Sequence, residues 1–237
     1  MILLCGGLKG GIGKSTIATN FAVMRSKQLG SGKVALIDAD PQESSYKFTQ
    51  LRNEALDGNA GYNCFKITGK PVRSEALGLA AKYEDVIIDA GVGDSTGQRA
   101  ALTVAHVAVL PFRPGSYDLW TAGDLASLID EMRDVNPGLV ALAFINQGDH
   151  QGQDNSGAIE ILRESEGITV LDCPLGYRKA FRNIALGRAV TELSPADPKA
   201  IAEMTAIYAA SFGDSGVTDK ITTESHGHHS DSQRRSR

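Results

Sequence analysis

Short, continuous apolar runs recur along most of the chain, each bounded by glycine, proline or acidic residues. Ile2–Cys5, "KVALIDAD", "DVIIDAG", "HVAVLPF" and "LVALAFIN" are of this kind, and "ITVLDCP" after Gly167 is a shorter one. Runs without strict alternation suit strands covered on both faces, and such strands belong to parallel sheets. Between them, apolar residues return at helical spacing. The predicted helices are Ser15–Gln28 (with Ile17, Phe21 and Met24 on one face), Ser44–Leu56, Arg73–Tyr83, Gln98–Val104, Leu119–Val135, Ala158–Glu166, Lys179–Leu186 and Pro198–Phe212. Strands alternating with helices of this length imply βαβ crossovers. The expected fold is α/β, a doubly wound, mainly parallel sheet with helices on both faces. No internal repeat and no Pro- or Gly-rich linker divides it, so residues 1–213 read as one domain.

After Phe212 the pattern stops. The segment to Arg237 has no aromatic residue and only two large aliphatic ones, Val217 and Ile221. It cannot bury enough apolar surface to offset its ordering entropy, so 214–237 is expected to be a disordered polar tail. His226, His228 and His229 lie within it; such a cluster could bind a metal, but the composition around it reads as a flexible polar tail.

Composition narrows the partners. At 42% hydrophobic and 22% charged residues, the chain is ordinary for a soluble globular protein. Cys5, Cys64 and Cys173 are odd in number and far apart, without a C-x-x-C spacing. That points to a reducing cytosol and away from a disulfide framework or a zinc site. The apolar start is short and lacks a basic leader, so no signal peptide is expected. No run approaches the roughly 20 apolar residues of a membrane span. A net charge of −4 argues against coating DNA through a global basic field, so any nucleic-acid contact should be a local patch.

The candidate chemistry begins with "CGGLKGGIGKST", Cys5 to Thr16. A strand, a glycine loop, a lysine, a hydroxyl residue and a helix together make a phosphate cradle. Glycines let backbone N–H groups converge on phosphate oxygens, and the helix N-terminus adds its dipole. Lys14 then reaches the β and γ phosphates, and the Ser15 hydroxyl holds Mg2+. The ordinary G-x-x-x-x-G-K-[ST] spacing fails, because Leu8 stands where its first glycine should be. "DVIIDAG" has the form of a strand ending in a magnesium-holding acid, Asp89, acting through water. "VALIDADPQ" ends in Asp38 and Asp40, two residues apart and thus on the same side of an extended chain.

What does match is K-G-G-x-G-K-[ST], Lys9 through Ser15. With it, the chain resembles the ParA/MinD family of deviant Walker A ATPases from its first strand to about Phe212. Its closest similarity is to the short ParA-type plasmid-partition branch, which lacks an N-terminal DNA-reading domain. The resemblance implies an ATP-dependent homodimer in which Lys9 crosses the interface to phosphates of the other subunit. It implies that Gly10, Gly11, Ile12, Gly13, Lys14, Ser15 and Thr16 cradle ATP and that Asn146, ending "ALAFIN", reads adenine. A turn-capping asparagine is the competing account of Asn146. The resemblance further implies that Asp40 orients or deprotonates the attacking water, and that Asp38 lies near Mg2+ through water. The catalytic residues would be Lys9, Lys14 and Asp40; the metal site would be Ser15, Asp38 and Asp89.

Several segments extend or depart from that pattern. Many relatives have a proline after the acid corresponding to Asp89; here Ala90 and Gly91 follow, with Gly91 and Gly93 as candidates for a mobile switch. "LPFRPGSYDLWTA" fits the partition branch through Pro111, Pro114 and Asp118. Its Tyr117, Leu119 and Trp120 read either as a dimer interface or as plain helix packing. "YRKAFRNIALGRAVTEL" carries Arg178, Lys179, Arg182 and Arg188, with Arg178 and Arg182 at i, i+4 spacing. In relatives such a region gives the ATP-bound dimer non-specific DNA binding; a solvated helix face is the alternative.

A membrane-inserting helix of the MinD kind is not expected, since Pro198–Phe212 has no basic residue after Lys199 and the tail is polar. Paired cysteines of an iron protein and a tail tyrosine cluster of a tyrosine kinase are both missing. The implied function is a cytoplasmic, nucleoid-associated bacterial switch ATPase. It would partition or position a plasmid or similar element, with a small partner protein stimulating slow hydrolysis. The alternative is a ParA-like positioning factor for a conjugation, secretion or cellulose-synthesis machine; a ligase of the dethiobiotin synthetase type is a more distant rival.

Overall fold

A computed structural model describes residues 1–91, 95–115, 121–149, 153–182 and 187–213. Gly93, the segment Tyr117–Trp120, the end of the predicted Lys179–Leu186 helix and the tail with its histidines lie outside them.

Five strands coincide closely with the apolar runs: β1 (Ile2–Cys5), β2 (Val34–Ala39), β4 (Asp85–Ala90), β5 (Val107–Phe112) and β6 (Val140–Gly148). β3 (Asn63–Lys66), β7 (Thr169–Val170) and β8 (Leu175–Gly176) complete the sheet. The order is β3-β2-β4-β1-β5-β6-β7, every pairing is parallel, and β8 pairs with β6 further along that strand. Neither β3 nor β8 follows from the hydrophobic pattern. β3 is an edge strand whose four residues are at most half-buried.

The helices are α1 (Lys14–Leu29), α2 (Ser44–Ala55), α3 (Pro71–Ala80), α4 (Ser95–Leu102), α5 (Ala122–Arg133), α6 (Gln153–Arg163), α7 (Lys179–Arg182) and α8 (Pro198–Phe212), with a 3-10 turn at Val190–Glu192. Several starts differ from the sequence reading, among them α4, which begins at Ser95 instead of Gln98, and α5, at Ala122 instead of Leu119. α3 begins at Pro71, whose fixed φ and missing N–H suit a first helical position. α6 begins five residues before its expected start, through the polar run from Gln153.

Alternate residues of each strand serve opposite faces, and both faces are dry. Leu4, Ile37, Ile88 and Leu110 pack under α3, α4, α5 and α6 through Val72, Leu102, Ile129 and Leu162. Leu3, Leu36, Ile87 and Phe144 pack under α1, α2 and α8 through Phe21, Phe48 and Ile207. Burial on both faces is why these strands read as unbroken apolar runs. α8 lays Ala200, Met204 and Ile207 into the second core, and its Tyr208 and Phe212 rings meet Phe21 edge-on. Among the described residues, no helix is long and apolar enough to cross a membrane.

Parallel pairing places the carboxyl ends of β1, β2, β4 and β6 together, the end of an open α/β sheet where ligands bind. Cys5 and Asp38 are each register partners of Asp89, so three strand ends meet at one point.

Candidate functional site

The loop between β1 and α1 owes its shape to glycines in conformations other residues avoid. Gly7, Gly11 and Gly13 have φ of 148°, 69° and 95°. At Gly13 a side chain would also collide, since a Cβ there would lie 2.2 Å from Nδ2 of Asn146. Lys14 follows as the first residue of α1. Its stem is buried, and its ammonium donates to the Lys9 carbonyl oxygen at 2.9 Å. Burial lowers its pKa, against the opposing pull of Asp89 and Asp40.

Beneath the loop lie the two carboxylates that register brings side by side. Asp38 Oδ2 accepts the Tyr46 N–H at 2.7 Å and Oδ1 the Asp40 N–H at 3.0 Å. Burial still raises its pKa above the usual carboxylate range. Asp89 is fully buried, and desolvation pushes it up to about 7 despite the opposing effects of the Ser45 hydroxyl on Oδ2 and of the Ser15 hydroxyl. Its Oδ1 has no hydrogen-bond partner among the described residues. The Cys5 thiol is likewise pushed up, first by burial and then by the Asp89 charge.

Buried carboxylates with an orphaned acceptor form an electrostatic hole that a hard cation would fill. Among the described residues, no group of three or more His, Cys, Asp or Glu comes together as a metal site. Two buried carboxylates, one with an open oxygen, fit Mg2+ in its usual mode, in which few protein ligands are joined by retained water and substrate phosphates. Ser15, Asp38 and Asp89 are the residues that could hold it, and Lys14 with the loop N–H groups could hold the phosphates.

Gly10, Gly11, Gly13, Lys14, Ser15, Thr16, Asp40 and Asn146 all border one cleft of about 510 Å3. Its far wall is Gly176, which ends β8, with Tyr177, Phe181 and Arg182 beyond it. Lys9 and Ile12 do not border it. They line a small recess on the other side of the loop, against Phe112 and Leu125. Asp40 meets the cleft with Oδ1 accepting the Gln42 N–H at 2.8 Å. Gly91 presses on this turn, since a Cβ there would lie 2.8 Å from the Asp40 Cα.

The sequence reading missed several contributors. Gln98 of α4 is buried and accepts the Gly7 N–H at 2.9 Å, which ties the segment after Asp89 to the loop. Ser45 and Tyr46 bring α2 onto the carboxylates. Asn146, expected to read adenine, ties the loop down: Nδ2 donates to the Ile12 carbonyl at 2.6 Å, and Oδ1 accepts the Gln147 N–H. The basic segment needs correction. Arg178 precedes α7 rather than lying on a helix with Arg182; it forks onto Glu203, with Nε 2.8 Å from Oε2. It borders the cleft rather than forming one stripe with the exposed Lys179 and Arg188. Arg182 sits over the Tyr177 ring.

Fold and loop together define a phosphate-binding α/β protein with a buried acidic centre. A family model for the CobQ/CobB/MinD/ParA nucleotide binding domain matches residues 3–189, and the chain belongs to that family. Its relatives include Maintenance of carboxysome distribution protein A of Halothiobacillus neapolitanus, 27% identical over 76% of this chain and 82% of that protein. Among solved structures, Cyanothece McdA, as an ATP complex of an aspartate-to-alanine form, superposes with a TM-score of 0.70 at 16% identity over 90% of this chain and 96% of that one. A plasmid partition protein from Borrelia burgdorferi superposes with a TM-score of 0.55 at 18% identity over 78% and 95%. At these identities, the structures speak for the fold alone.

Proposed function

We propose that this chain is an ATP-driven positioning factor. ATP with Mg2+ occupies the cleft and the acidic centre, the nucleotide-bound form dimerises, and the dimer holds DNA without sequence preference. A partner protein stimulates hydrolysis and resets the cycle. The observation that carries the nucleotide part is the buried, orphaned Oδ1 of Asp89, which sits beside Asp38 in register with it. Mg2+ supplies charge neutralisation for the phosphates there. Lys14 fixes the phosphate end through its ammonium, and Asp40 at the cleft wall orients water and accepts its proton. Lys9 serves the phosphates of a neighbouring subunit, a role supported by its lining a recess on the opposite side of the loop instead of the cleft.

The cargo reading follows the relative whose name concerns carboxysome distribution and of which this chain covers 82%. This favours positioning of a protein assembly over plasmid partition, which remains the second reading on the sequence resemblance to the partition branch. With Arg178 paired to Glu203, the DNA patch within 178–188 rests on Lys179, Arg182 and Arg188. The test is a gel shift on random-sequence DNA with Mg2+ and either ATP or ADP. A shift with ATP that is lost in ADP, and that falls steeply with salt, is expected. No nucleotide-dependent shift would overturn the DNA-based cycle.

A further inference from the structure

Gln147 is out of place by local rules. In the β6–β8 ladder, Asn146 pairs with Leu175 and Gly148 with Gly176, so Gln147 is the extra residue of a bulge. Its φ is 59°, in the left-handed region that favours glycine. Such a conformation persists in a non-glycine residue only where surrounding contacts over-determine it. Here the contact is specific: Nε2 donates to the Gly11 carbonyl oxygen at 2.8 Å. Its neighbour Asn146 donates to the next carbonyl, that of Ile12, at 2.6 Å. The backbone N–H of Gln147 in turn donates to Asn146 Oδ1 at 2.9 Å.

The effect on the loop follows from peptide geometry. Across a planar trans peptide, the carbonyl and the following N–H point in opposite directions. Holding the Gly11 and Ile12 carbonyls toward β6 therefore turns the Ile12 and Gly13 N–H groups away from it. Neither N–H donates a hydrogen bond to any described residue. Free, fixed N–H groups at the start of a helix are what a phosphate needs.

We propose that Gln147 is a positioning residue for nucleotide binding. The bulge re-aims its side chain so that, with Asn146, it presets two loop N–H donors before a nucleoside triphosphate arrives. The role requires only that the loop binds nucleotide, and is independent of DNA or cargo.

Three variants test it: Gln147→Ala keeps the unfavourable φ and removes the tether, Gln147→Gly removes both, and Gln147→Glu keeps the shape without the donor. The measurements are affinity for a fluorescent ATP analogue with Mg2+ and thermal unfolding without nucleotide. All three should bind the analogue roughly fivefold more weakly or worse, the loss expected for one hydrogen bond. Stability should split instead, with Gln147→Gly melting at or above the wild-type temperature and Gln147→Ala below it. A merely structural residue would not separate the two readouts. Gln147→Gly binding as tightly as wild type overturns the positioning role alone. A wild-type chain that fails to bind the analogue overturns the nucleotide reading beneath it.

Discussion

The Ser45 hydroxyl, at the second residue of α2, donates to Asp89 Oδ2 at the end of β4 across 2.7 Å. The next residue reaches the neighbouring strand, Tyr46 N–H donating to Asp38 Oδ2. The first turn of one helix thus orients both buried carboxylates while leaving Asp89 Oδ1 open.

An open, desolvated acid of this kind opposes the stability of the ligand-free protein. Asp89→Asn keeps the shape and removes the charge. It should raise the melting temperature of the ligand-free form at pH 8 and weaken Mg2+-dependent nucleotide binding roughly 10- to 100-fold, the range for residues that act on a metal through water. The pH dependence has a definite sign. Asp89 titrates at about 7 folded, against an ordinary 3.8, so the folded state binds the extra proton between these values. The Asp89 contribution makes the ligand-free protein lose stability as pH rises from about 4 to about 7, and levels off above. Mg2+ affinity runs the other way, falling as pH drops below about 7, because the ion must displace that proton. Melting curves and magnesium titrations across this range check both slopes, and Asp89→Asn should flatten them.

Lys9→Ala should leave nucleotide binding within a few-fold of wild type, since the side chain lines the recess beside Phe112 rather than the cleft. Its loss should abolish ATP-dependent dimerisation or partner-stimulated turnover, as removal of a cation supplied in trans does, at roughly 1,000-fold in rate. Sedimentation with ATP and single-turnover hydrolysis with the partner present are the measurements. Normal stimulated hydrolysis would remove Lys9 from the mechanism.

Gly91→Ala tests the turn that carries Asp40. The added carbon would fall 2.8 Å from the Asp40 Cα and 2.9 Å from the Ala39 carbonyl oxygen, so backbone must shift. Hydrolysis should fall roughly 10- to 100-fold from misplacement of one carboxylate. Nucleotide affinity, held mainly by Lys14 and the loop, should change much less.

Arg52 forms a buried ion pair with Glu192 at 2.6 Å and also donates to the Gly187 carbonyl at 3.0 Å. Arg52→Met should destabilise the chain by about 3 kcal/mol, the lower end for breaking a buried pair, because Lys27 still reaches Glu192. Glu192 is held down to about 2, against an ordinary 4.5, chiefly by Arg52 working against burial. Its contribution is therefore complete above about pH 4.5 and lost as pH falls toward 2. Glu192→Gln should erase that acid-side loss in a denaturant midpoint series.

The core of this molecule was readable because it is repetitive. β1, β2, β4, β5 and β6 are buried on both faces, so nearly every residue in them is apolar, and the loop at Lys14 announces itself by spacing. What escaped detection depends on distant partners. β3 has only Cys64 and Phe65 as apolar residues because it sits at an edge. β8 is two residues long and exists through pairing with the end of β6. Gln98, Ser45 and Gln147 are ordinary polar residues whose importance lies in the Gly7 N–H, Asp89 and the Gly11 carbonyl that each meets. Arg178 read as a free cation because Glu203, its partner, is 25 residues away.

α2 spans its twelve residues as a rod of roughly 18 Å. One tip is pinned to Asp38 and Asp89; near the other, Arg52 grips Gly187 and Glu192, and the Gly187 backbone packs so closely that a Cβ would lie 2.4 Å from the Arg52 amide nitrogen. A strut anchored at both tips moves as one piece. A single rigid element therefore joins the carboxylate centre to the backbone at Gly187, one residue before Arg188.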